Sequence, residues 1–219
     1  MLLKYVSNSI KSIVSALFIC TAATSISHAK ALQCDDTDAP QFFKKFCTDS
    51  FSDLRTEFNE HFHTTYLVTD APIRLIDDTQ TLWTQRVQQC KNSNCLKQQM
   101  NFRIEELNFY TSMNQSLTQH YLKFEHGKIS KQPAHIKIHQ LTKDRIKIEG
   151  TAYRDPNNRA ESQSIPLLAY TTNENKSEIL DNENDCKYTL NFQKSILIID
   201  SKTQSKNCDR FKGIFRLYD

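Results

Sequence analysis

Cys90-Lys91-Asn92-Ser93-Asn94-Cys95 places two sulfurs on either side of four residues, and three chemistries suit such a pair: a metal site, a redox couple or a staple. Zinc sites carry cysteines two to four residues apart and repeat them with a second Cys or His pair. Cys90 and Cys95 stand alone, with no His or Cys close on either side. Redox pairs favour a two-residue spacer beside a strand–helix–strand unit. This spacer has turn composition and joins two helical patterns, so the pair reads as a structural disulfide across a helix–turn–helix corner.

The other candidates for chemistry are weaker. In Glu60-His61-Phe62-His63 the histidines lie two apart and face different ways on a helix, and the H-E-x-x-H spacing is absent. His135 and His139 share one face if their segment is a strand, but no acidic residue accompanies them in sequence. Asp35, Asp36 and Asp38 form an acidic cluster that reads as solvated surface. No G-x-S-x-G, P-loop or dinucleotide fingerprint occurs, and the chain has 3 glycines. The expectation is a protein that is not an enzyme and carries no cofactor and no metal.

The N-terminus sets the compartment. Lys4 and Lys11 precede a short, mostly apolar or small run from Ile13 to Thr24, and Ser27-His28-Ala29 offers small residues to a signal peptidase. Residues 1–29 therefore read as a secretory signal peptide, and no later stretch is long and apolar enough for a membrane span. Ile19 directly before Cys20 argues against a lipid anchor, so the expected location is the periplasm. Six cysteines then remain: Cys34, Cys47, Cys90, Cys95, Cys186 and Cys208. An even number in an exported chain reads as a disulfide framework. Proximity in the chain favours 34 with 47, 90 with 95, and 186 with 208. Loop-closure arithmetic assigns them about 3, 2 and 3.5 kcal/mol in that order.

Charge is balanced overall and uneven locally. Residues 32–127 carry 9 basic and 13 acidic residues, and residues 128–219 carry 16 and 12. The acidic half suits a cationic partner and the basic half an anionic one, although a solvated surface explains both. No dense basic stripe with interleaved aromatics is present, so nucleic acid is not an expected partner.

The elements that position these residues change character near Gly127. Phe51, Leu54, Phe58 and Phe62 recur at helical spacing, with Asp49 or Ser50 as cap. Asp70-Ala71-Pro72 opens a second helix, capped by Asp70, whose inner face carries Ile73, Ile76, Trp83, Val87 and Cys90. A third starts near Cys95, carries Leu96, Met100, Ile104 and Leu107 inward, and is expected to run to about Phe124 with Gly127 as terminator. Trp83 reads as core; Arg86 and Arg103 are expected to bond helix ends or pair with Glu57, Glu60 or Asp77. After Gly127 the period is two: Ile136/Ile138, Ile146/Ile148/Ala152, Tyr188/Leu190/Phe192 and Phe211/Phe215/Leu217, with residues 165–171 as a further candidate strand. Ile196 to Ile199 is a continuous apolar run, fit for a strand buried on both faces. Residues 173–185 and 200–207 read as loops. The expected class is α+β: a disulfide-stapled bundle of about three helices over residues 30–127, then a small antiparallel barrel or sandwich of about six strands over 128–219.

Gln80, Trp83, Arg86, Cys90, Cys95-Leu96, Met100, Arg103-Ile104 and Leu107 together resemble the signature of the LprI-type lysozyme inhibitor family: Q-x-x-W-x-x-R-x-x-C, then C-L, then R-I-x-x-L. Cys34, Cys47 and the first-helix apolar residues match the same family upstream. The resemblance covers residues 34–107 and departs at Arg55, where an Asp is common, and at Met100, where a Tyr is usual. It implies a small exported helical domain and, through the family's name, inhibition of a lysozyme. The β half shows no catalytic motif and lacks the serine-containing loop of the β-barrel lysozyme inhibitors.

Three functions follow as expectations. The first is a protein that blocks a lysozyme-type or other peptidoglycan hydrolase, either by filling its carboxylate-lined cleft with a basic loop or by docking the acidic helical half on its cationic outer surface. Arg154-Asp155-Pro156-Asn157-Asn158-Arg159 is the candidate loop, with Arg154 and Arg159 as binding residues. The second is an immunity protein against a cognate toxin, and the third an envelope protein without an enzyme target.

Overall fold

The computed structural model describes residues 31–37, 39–158 and 162–218. The expected signal peptide and Arg159 lie outside them. After short 3-10 turns at Gln41–Phe46 and Asp49–Phe51 come three helices: α1 (Ser52–Val68), α2 (Ile73–Gln89) and α3 (Ser93–Ser112). Each expected helix forms, and the caps differ. Asp49 belongs to the 3-10 turn and α1 has no side-chain cap. Pro72, not Asp70, occupies the N-cap position of α2. At α3 Asn92 is the cap, its side chain accepting from the Cys95 N–H at 2.9 Å. The first core lies between the helices, where Trp83 stacks between Phe46 (6.2 Å) and Phe58 (5.1 Å). Its indole N–H donates to the Gln99 carbonyl at 2.8 Å, so the ring is buried with its polar atom satisfied.

Nine strands follow among the described residues: β1 (Thr118–Glu125), β2 (Lys128–Ile129), β3 (Ala134–Thr142), β4 (Arg145–Tyr153), β5 (Ser164–Thr171), β6 (Glu178–Leu180), β7 (Lys187–Gln193), β8 (Ile196–Ser201) and β9 (Gly213–Tyr218). They pair antiparallel in the order β5-β4-β3-β1-β9-β8-β7-β6, with β2 on β1. The ends nearly meet. The buried Asp181 accepts from the Leu168 N–H at 3.0 Å, and the Asn182 N–H donates to the Leu168 carbonyl at 2.8 Å. The result is a nearly closed barrel of more strands than the six expected.

The sheet also begins earlier. The segment read as the end of the third helix is β1, and α3 stops at Ser112. Gly127 terminates no helix: His126 and Gly127, with φ of 52° and 76°, make the tight turn between β1 and β2. β1 hides its period because it is covered on both sides. Tyr121 points into the barrel core, while His120 and Leu122 face the helices. β8 shows the opposite error: Leu197 and Ile199 are buried, but Ile196 is 38% exposed, so its apolar run is not covered on both faces. β6 lies inside a stretch read as loop; three residues are too few to show a period.

The barrel interior leaves no room at Gly150. A Cβ there would sit 2.8 Å from Ile136 Cδ1 and 2.8 Å from Phe211 Cε1. Gly150→Ala is therefore expected to destabilise by about 1–3 kcal/mol through overpacking, read as a lower urea midpoint with unchanged slope.

The three disulfides are 34–47, 90–95 and 186–208, with Cα separations of 5.5, 5.5 and 5.6 Å. These are bonds of a chain that matures in an oxidising compartment. No described helix is long and apolar enough to cross a membrane.

Candidate functional site

Where the helices cover the outer face of the barrel, a polar and charged cluster lies beside an apolar one of Ala71, Leu75, Ile76, Tyr110 and Leu122. α2 supplies Thr79, Gln80 and Arg86; α3 supplies Gln99, Arg103 and Glu106; β1 and β3 supply His120 and His135; β4 ends in Tyr153. Arg103 is 1% exposed and uses the whole guanidinium. Nε donates to Gln80 Oε1 (2.9 Å), Nη1 to Thr79 Oγ1 (3.0 Å) and Glu106 Oε2 (2.5 Å), and Nη2 to the Ile76 carbonyl (3.2 Å). The expected pairing with Glu57, Glu60 or Asp77 does not occur for Arg103. Glu106 is one turn along the same helix and needs no second element to reach it. Burial works to raise the Glu106 carboxyl, but the Arg103 guanidinium and then His135 outweigh it and hold it at about 2.

Three histidines, His120, His135 and His139, are buried here. His135 Nδ1 lies 3.7 Å from Glu106 Oε1, and its Nε2 is 3.1 Å from His120 Nδ1. His120 Nε2 meets Gln115 Oε1 at 2.9 Å. Tyr110 packs beside both rings. Burial, then the neighbouring His135 and Lys137, pushes His120 down to about 2. Burial also lowers His135, against the pull of Glu106. Both imidazoles are thus neutral at ordinary pH. His139 turns the same way and meets Thr118 Oγ1 at 2.8 Å. His61 and His63 stay on α1 away from this cluster, and Asp35 is exposed. Among the described residues no group of three or more His, Cys, Asp or Glu is arranged to hold a metal.

A cleft of about 250 Å³ opens over the cluster, lined by Phe102, Glu105, Glu106, His135, Lys137 and Tyr153 among others. Lys137 Nζ sits 3.7 Å over the Phe109 ring, and burial lowers its pKa. The cleft holds an acid, a base and a phenol. The two imidazole nitrogens nearest each other are already used in their mutual contact, and among the described residues no Ser or Cys meets either histidine.

Arg86 leaves the cluster in the other direction. Nε donates to Gln99 Oε1 (2.9 Å), Nη1 to the Arg154 carbonyl (2.9 Å), and the guanidinium lies 4.2 Å over the Tyr153 ring. Gln99 passes the connection on to Gln163 Oε1 at 2.9 Å. Asn157 adds two bonds to the disulfide corner: its Nδ2 donates to the Gln89 carbonyl (2.8 Å), and its Oδ1 accepts from the Lys91 N–H (3.0 Å). The β4–β5 loop is therefore fastened to the α2–α3 corner beside Cys90–Cys95. Arg154 does not reach out from that loop. Its guanidinium donates to the Ser162 carbonyl at 3.1 Å and to Asn207 Oδ1, holding the loop to itself and to the segment before β9.

The sequence singled out Trp83, Arg86 and Arg103, and the three converge. It missed Glu106, His120, Gln99, Gln163 and Tyr153. Glu106 was findable three residues after Arg103; the rest depend on strand register. Comparison with protein-family models, with curated proteins and with solved structures finds no match for this chain.

Proposed function

We propose that the chain is an exported, periplasmic binding protein that inhibits a lysozyme-type cell-wall hydrolase by protein–protein contact. One observation carries the reading. The residues that bear the resemblance to the LprI-type inhibitors, Gln80, Trp83, Arg86, Cys90, Cys95 and Arg103, share one buried corner, and that corner grips the β4–β5 loop through Arg86 and Asn157. Residues 154–158 of that loop, already held in one shape, lose little conformational entropy on docking, which favours insertion into a cleft. Arg154 and Arg159 give it positive charge, and a lysozyme cleft carries two carboxylates. The three disulfides support maturation outside the cytoplasm.

The test is lysis of a cell-wall suspension by hen-type lysozyme and by hydrolases of the source organism. Excess protein is expected to slow the loss of turbidity, and Arg159→Glu to weaken inhibition at least tenfold. Full hydrolase activity in the presence of excess protein, across that panel, sinks the proposal.

A further inference from the structure

The cleft of about 250 Å³ beside α3 is lined by polar atoms that the buried network leaves out. Its floor is the outer face of β3, β4 and β5. Thr151 lies opposite His135 on one side and Pro166 on the other, and Tyr153 lies opposite Ser164. Its wall is one flank of α3, where Phe102, Glu105, Glu106 and Phe109 follow at three- and four-residue spacing. Lys137 stands opposite Glu149 at one end, and from that level to Tyr153 the floor runs roughly 13 Å along β4. That is room for a ligand of one or two rings rather than a water.

The side chains of five lining residues make no hydrogen bond or ion pair among the described residues: the Glu105 carboxylate, the Lys137 ammonium and the hydroxyls of Thr151, Tyr153 and Ser164. None is sealed from the cleft, since the fully covered atoms without a partner belong to Arg86 and Arg210. Glu149 and Glu106 act favourably on the Lys137 charge, and each holds a nearer cation, Lys147 at 2.9 Å and Arg103 at 2.5 Å. Lys137 therefore offers donors without requiring an anion. With both signs in the lining, neither an anion nor a cation meets a matching field. An apolar ligand would strand five polar groups. A hydroxyl both donates and accepts, so a neutral ligand rich in hydroxyls serves the carboxylate, the ammonium and the side-chain hydroxyls alike. Phe102 lies edge-on to Tyr153 at 6.3 Å and adds a half-buried ring, whose negative face suits the C–H bonds of a sugar. We propose that the cleft binds a neutral pyranose sugar, with Glu105, Lys137, Thr151, Tyr153 and Ser164 on its hydroxyls and Phe102 against its C–H face. The sugar site stands whether or not the chain inhibits a hydrolase.

Saturation-transfer NMR on the full mature protein is the test, with methyl β-glucoside, N-acetylglucosamine and maltose as probes. Transfer to the ring protons of at least one of them is expected. Glucosamine and glucuronate, which add a charge of either sign, are expected to bind more weakly. Glu105→Gln should weaken the sugar about tenfold and Thr151→Val about threefold, as for a charged and a neutral hydrogen bond. Both positions are partly or fully exposed, so the fold tolerates them. Glu57→Gln, on the exposed face of α1, should leave binding unchanged. No transfer to any of the three neutral sugars overturns the proposal. So does tighter binding of glucosamine or glucuronate, or undiminished binding by Glu105→Gln.

Discussion

Arg103→Met is expected to lower the stability of the folded chain by about 3–5 kcal/mol, the largest effect of any single substitution in the buried network. Methionine replaces the volume of the arginine stem, so the loss is electrostatic rather than a cavity. Four acceptors lose their donor at once: Gln80 Oε1, Thr79 Oγ1, the Ile76 carbonyl and Glu106 Oε2. Glu106 then becomes a covered carboxylate without a cation, and burial, until now outweighed, pushes its pKa upward. Chemical denaturation should show the midpoint falling with the slope unchanged. The double variant Arg103→Met/Glu106→Gln should recover part of the loss, because the stranded charge is gone. If Arg103→Met costs less than about 1 kcal/mol, the guanidinium is not the element that holds α3 against α2.

Acidification is expected to loosen the helical layer from the barrel before any surface carboxylate is titrated. His120 is about 6.5 in the unfolded chain and about 2 when folded, so below pH 6.5 the unfolded state binds the proton and the folded state does not. Stability from this group is whole above pH 6.5 and is lost as the pH falls from there toward 2. Between pH 7.5 and pH 5 the loss is about 2 kcal/mol for His120, a fall of roughly 4–8 °C in melting temperature. His135, also lowered by burial, acts in the same direction. Glu106 joins below its unfolded value of 4.5, since a depressed carboxyl likewise contributes less as pH falls toward 2. Melting curves from pH 7.5 to 4.5 read the slope directly. His120→Asn should flatten it, whereas His126→Asn, at the exposed β1–β2 turn, should not. A melting temperature that stays level from pH 7.5 to 5 would mean that His120 titrates as if exposed.

The parts of this fold that were legible in the chain are those written by neighbours in sequence. Phe58 and Phe62, or Leu96, Met100 and Ile104, fall on one helical face whatever else the protein does. The disulfides joined cysteines 13, 5 and 22 residues apart, short loops that close at small entropic cost. The strands β4 and β5 alternated visibly because one face meets the barrel core and the other is only partly covered, and β3 because its helix-facing positions are the polar His135, Lys137 and His139. β1 did not, since Tyr121 and Leu122 are buried on opposite faces and the run Thr118–Phe124 carries no clean period of two.

The amino-acid sequence by itself determined three helices, an antiparallel β half, the sulfur pairing and the convergence of Trp83, Arg86 and Arg103 on one hairpin. Only the tertiary structure decided that the sheet curls until β5 and β6 nearly meet. It also decided that His120 lies opposite Lys137 in the β1–β3 register, two positions from His135, under a carboxylate supplied by α3. The reason is range. Helical periodicity and short-loop cross-links depend on residues a few positions apart. A shared surface between two strands and a helix depends on registers set by the whole barrel, where a slip of one residue would turn both histidines into its core.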